Sequence, residues 1–162
     1  MPLAGLAGTT GGPPAASAPG VPSDEAALQS FLANLPQDEA VAARTLAHSW
    51  TASGGTFQAG RLTVRLLAQG PKGTPYTAAT LHGVGPSGVP RLEVGRVLLY
   101  AHGLGPADWT SWCDERPELA AHGFDRAAKY PAVPLAGLPP AIVARLALGL
   151  RDLCRLAQGQ AA

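Results

Sequence analysis

Arg61-Leu62-Thr63-Val64-Arg65-Leu66 has the pattern of a strand around which the rest of the chain can be placed. Apolar and polar side chains alternate along it, and a period of two means a strand with one buried face and one open face. Leu62, Val64 and Leu66 form the inward set, leaving Arg61 and Arg65 together on the open side. Gln69-Gly70-Pro71-Lys72-Gly73-Thr74-Pro75 follows as a loop, and Tyr76 to Leu81 reads as a second strand, antiparallel to the first. Val84 to Pro90 is another Gly/Pro loop. Residues 91–102 are open to two readings: Leu92 and Val94 suit a third strand, while Val97, Leu98 and Ala101 suit a helix from about Gly95 onward.

Outward from this hairpin the spacing becomes helical. Ser23 is a candidate N-cap, with Asp24 and Glu25 in a first turn where the helix dipole favours acids. Leu28, Phe31, Leu32 and Leu35 make the apolar stripe of a first helix. Pro36 opens a second, whose buried side is expected to carry Val41, Leu46 and Trp50 before Ser53-Gly54-Gly55 stops it. On the C-terminal side, two near-copies of one phrase mark helix ends: Tyr100-Ala101-His102-Gly103-Leu104 and Ala120-Ala121-His122-Gly123-Phe124. Each predicts a Gly in the left-handed conformation and an apolar residue folding back on the last turn. Asp108 starts a short helix bearing Trp109, Trp112 and Cys113, and Pro117 restarts it. Lys129 to Gly137 is extended around Pro131 and Pro134. Pro139-Pro140 introduces a last helix with Ile142, Leu146, Leu150, Leu153 and Leu156 on its apolar face.

The fold class expected is therefore α+β: an N-terminal helical pair, a small antiparallel sheet of two or three strands, and a C-terminal helical layer. Residues 1–22 hold only Met, Leu, Val and the small residues Gly, Pro, Ala, Ser and Thr, without a charged side chain. They are expected to be a disordered tail ahead of one domain over 23–158, because they have too little apolar surface to offset the entropy of ordering. The N-terminus lacks the basic and apolar regions of a signal peptide, and no apolar run approaches the roughly 20 residues that cross a bilayer. No membrane partner is expected, and the simplest location is the cytoplasm, with Cys113 and Cys154 reduced.

Net charge is +1, so no global field draws in nucleic acid. The charges nevertheless run in blocks. Arg61, Arg65, Lys72, Arg91 and Arg96 stand against Glu93 alone, and Asp108, Asp114, Glu115, Glu118 and Asp125 stand against Arg116 alone. Either these blocks neutralise each other within the fold or the basic one is a binding face. In the second case Arg61, Arg65, Lys72, Arg91 and Arg96, joined by Tyr76 or Thr77 from the partner strand, are the nucleic-acid candidates, Tyr76 because cations beside an aromatic suit single strands. Trp109 and Trp112 are the candidate anchors for a protein partner; their helical spacing also suits core positions.

Chemistry-bearing motifs give less. His82, His102 and His122 stand 20 residues apart, each before a Gly, but their flanks do not repeat and they lack the close pairs of structural zinc sites. Cys113 beside a His could be a nucleophile, yet its apolar helix face suits a buried thiol. No Ser lies in a nucleophile elbow, and no Gly-rich loop carries the Lys-Ser/Thr that cradles phosphates. Glu93 with Arg96 is the nearest approach to a nuclease pair, and its spacing is wrong. No catalytic residue, metal ligand or cofactor is assigned. The sequence thus favours a non-enzymatic interaction or regulatory module with a protein partner. The first alternative is a domain binding single-stranded nucleic acid through Arg61 and Arg65; the second is a small hydrolase or nuclease.

Overall fold

The computed structural model describes residues 24–85 and 88–159. The expected tail over 1–22 and the N-cap assigned to Ser23 lie outside the described residues. The chain begins with α1 (Glu25–Leu32) and α2 (Gln37–Ala52). It continues through β1 (Thr56–Ala59), β2 (Thr63–Gln69), β3 (Pro75–His82) and β4 (Arg91–Val94). Three short helices follow, α3 (Arg96–Ala101), α4 (Pro106–Asp114) and α5 (Pro117–Ala121), then β5 (Ala132–Pro134) and the long α6 (Pro140–Ala157).

The five strands form one antiparallel sheet in the order β1-β2-β3-β4-β5. The α+β class holds, but the sheet has five strands rather than two or three. The two unexpected members are short edge strands. β1 has four residues and lacks a clear alternation, and β5 is the extended Pro-flanked segment, which pairs with β4 from Ala132 to Pro134. Residues 91–102 are both of the things they could be: strand to Val94, helix from Arg96. Gly95 makes the corner, its N–H bonded to the Ala78 carbonyl at 2.8 Å. A side chain there would meet the Thr77 carbonyl at 2.9 Å.

Period-two burial gives the sheet two different faces. Phe57, Val64, Leu66, Ala68, Tyr76, Ala79, Leu81, Leu92 and Val133 are buried together with the helices. A bulge at Ala78, where Leu66 pairs with Ala79 but Leu67 with Thr77, keeps the apolar residues of β3 in register with β2 on both sides of it. α2 and α6 pack on each other over this face, α2 reaching β1 and α6 reaching β3. In α2 the buried stripe is Ala40, Ala43, Leu46, Ala47 and Trp50, whereas Val41 is exposed, a correction to its expected place in the core. Small residues there let the two helices approach closely, with Trp50 closing the far end.

The helix ends follow the sequence closely. Asp24, expected inside the first turn, is instead the N-cap of α1, accepting the Ala27 N–H at 3.1 Å. Gly103 and Gly123 have φ of 110° and 93°. The N–H of Leu104 reaches back to the Leu99 carbonyl at 2.9 Å, and that of Phe124 to Leu119 at 3.0 Å, with all four of these side chains buried. Both are complete Schellman motifs.

Candidate functional site

The face of the sheet away from the helices is polar. The register aligns Gln58, Arg65, Thr80 and Glu93 across it, and beside them Thr63, His82 and Arg91. Arg65 donates to the Gln58 side-chain oxygen. His82 Nε2 lies 3.3 Å from Glu93 Oε1, an ion-pair distance without the alignment of a good hydrogen bond. Burial, and then the charge of Arg91, hold the His82 ring below its ordinary value, against the opposing pull of Glu93.

The structure divides the candidate nucleic-acid residues. Arg65 and Arg91 lie on this polar face with β3 between them. Arg61 precedes β2 rather than belonging to it, and Leu62, expected inward, is exposed. Lys72 stands in the β2–β3 turn. Tyr76 faces the other way: it is buried among the helices and stacked on His102 with ring centroids 4.1 Å apart. The bulge accounts for this, since Ala68, inward like Leu66, pairs with Tyr76. Arg96 belongs to α3, donates to the Arg126 carbonyl at 3.1 Å and stacks on Tyr100 and Trp109, so it is not part of the sheet face.

The acidic block does not cover that face. Asp114 pairs with Arg126 at 2.6 Å, Glu118 with Arg145 at 3.6 Å, and Glu115 with Arg116 at 3.5 Å. Among the described residues, none of Arg61, Arg65, Lys72 or Arg91 forms an ion pair with a carboxylate.

The candidate protein anchors are core. Trp109 and Trp112 are buried, stacked on one another at 5.6 Å. Their indole N–H groups are used internally, on the Arg126 carbonyl at 3.1 Å and the Gly149 carbonyl at 2.8 Å. Cys113 is a buried free thiol whose pKa burial raises, which is the inert form of a cysteine.

Besides Val41, Leu62, Val84, Val89 and Leu148, which are exposed elsewhere, an exposed apolar group lies where sequence reading did not place it. α3 buries only Leu99 and turns Val97 (46%), Leu98 (43%) and Tyr100 (37%) outward. The 126–131 segment is tied to the start of this helix and the strand before it: Arg96 donates to the Arg126 carbonyl, and the Val94 N–H bonds the Pro131 carbonyl at 2.8 Å. Tyr130 in that segment is 57% exposed, with the Lys129 ammonium 5.4 Å from its ring centre. Two tyrosines, two aliphatic side chains and bordering cations have the composition of an interface core. The signal was present in the run Val97-Leu98-Leu99-Tyr100, since a one-sided helix of this length can bury few of four consecutive large apolar residues.

No known family model, no curated protein and no solved structure matches this chain. Among the described residues no helix is long and apolar enough to cross a membrane.

Proposed function

We propose that this chain is a non-enzymatic interaction module whose partner is another protein, seated on α3 and the neighbouring Tyr130. The observation that carries this reading is the exposure of Val97, Leu98, Tyr100 and Tyr130 on adjoining segments. Scattered apolar side chains on a surface are ordinary; three on one turn of helix, with a tyrosine on the segment bonded to its start, concentrate apolar surface in one region. Tyrosine is also over-represented among interface residues that contribute strongly to binding. A photo-reactive residue placed at Leu98 or Tyr130 should crosslink to one and the same protein in the cells that make this chain. The same probe at Arg65 should not. Crosslinking from Arg65 alone would move the interface to the sheet and end this reading.

The second reading, a nucleic-acid interface, is favoured by Arg65 and Arg91 lying on one face without carboxylate partners. With Tyr76 turned inward, that face has cations but no aromatic platform from this position, so phosphate contact would have to supply the affinity. Binding of this kind would fall steeply with salt. It would be lost in Arg65→Glu with Arg91→Glu, while stability stayed nearly unchanged.

A further inference from the structure

A cavity of about 330 Å³ lies between the β1–β2 edge and the C-terminal half of α6. Thr56, Leu67, Ala68 and Gln69 line one side, and Arg151, Cys154 and Arg155 line the other. None of its lining residues is a carboxylate. Arg151 is partly buried, with its guanidinium 5.2 Å from the centre of the fully buried Trp50 ring. Its Nε–H is buried and has no acceptor. A guanidinium held against an aromatic face with an orphaned donor is costly to leave unanswered, and its fork matches the oxygens of an oxyanion. Arg155 brings a second guanidinium, one nitrogen of which bonds Asp152 at 2.9 Å, leaving its other donors available.

We propose that this cavity binds the phosphate group of a small phosphorylated molecule. Two guanidiniums match a phosphate dianion better than they match a singly charged carboxylate, and a phosphate oxygen accepting from Arg151 would satisfy the buried Nε–H. The remaining volume accommodates a compact organic group beside the phosphate. The site is distinct from α3 and independent of the protein-partner reading.

Trp50 makes the test direct. Its indole N–H donates at 2.8 Å to the carbonyl of Thr56, a lining residue, whereas the Trp109 and Trp112 indoles bond Arg126 and Gly149 elsewhere. The three indole signals of the ¹⁵N-labelled full chain are followed while inorganic phosphate, phosphoserine or acetate is added at constant ionic strength. The Trp50 signal should move saturably with both phosphate compounds, at a dissociation constant on the order of 1 mM or tighter, and only weakly with acetate. Tighter binding of phosphoserine than of phosphate supports an organic phosphate as the ligand, and the reverse order overturns that part of the assignment. Arg151→Gln and Arg151→Lys should each weaken binding at least about tenfold, Lys because it lacks the fork. Arg155→Gln, at an exposed position, should weaken it several-fold and guards against misfolding of the Arg151 variants. A stationary Trp50 signal, equal movement of all three indoles, acetate matching phosphate, or unchanged binding in the variants would overturn the proposal.

Discussion

Gly103 and Gly123 occupy the same place in the same motif, yet their surroundings differ. Both hold φ near +100°, where an L side chain is strained by roughly 1–2 kcal/mol. A Cβ on Gly103 would also lie 2.5 Å from the Ala157 carbonyl at the end of α6, whereas on Gly123 the nearest atom, Pro134 Cδ, is 3.8 Å away. Gly103→Ala should therefore destabilise the fold clearly more than Gly123→Ala in urea titrations; equal costs would mean that α6 does not approach the α3 cap. His82 supplies a pH dependence with a fixed sign. Its folded pKa is depressed, chiefly by burial, so the folded state resists protonation more than the unfolded chain does. Its share of stability is present above the ordinary histidine value near 6.5 and is lost as pH falls below it. Thermal melts between neutral and mildly acidic pH should show this loss, and His82→Gln should flatten it.

Elements were legible where one periodicity dominated and one face was buried. The hairpin of β2 and β3, the stop signals at Ser53-Gly54-Gly55, Gly103 and Gly123, and the apolar face of α6 all follow from local pattern. β1 and β5 did not, because edge strands of four and three residues are defined by pairing rather than by their own sequence. Tyr76 went to the wrong face for a related reason: a single bulge residue, Ala78, shifts the alternation of β3. α6 carries a further dependence invisible in sequence. A side chain on Gly149 would meet Arg116 Nε at 2.8 Å, and that guanidinium is stacked 4.5 Å from the Trp112 ring. Gly149→Ala should gain helix propensity of about 1 kcal/mol and lose much of it by displacing Arg116. In an Arg116→Ala background the gain should appear in full, a coupling that a double-mutant cycle measures.

At the scale of the molecule, the charge blocks resolve only in part. The acidic segment from Asp114 to Glu118 pairs with Arg116, Arg126 and Arg145, while the earlier cations stay apart from it. The sequence held these blocks in plain view, but not which would meet, because that depends on packing between distant elements. The tryptophans followed the same logic: Trp109 and Trp112 had the spacing of a core and are core, whereas α3 leaves Val97, Leu98 and Tyr100 exposed. Substituting Val97→Asp with Leu98→Asp should accordingly leave the melting temperature almost unchanged, since exposed positions contribute little to the core. The most direct measurement is chemical footprinting of side chains in the purified chain and in intact cells. The account predicts that Val97, Leu98, Tyr100 and Tyr130 label strongly when pure and become protected in cells, while Thr80, His82 and Arg91 on the sheet label equally in both. Protection of the sheet residues with α3 still labelled would contradict it.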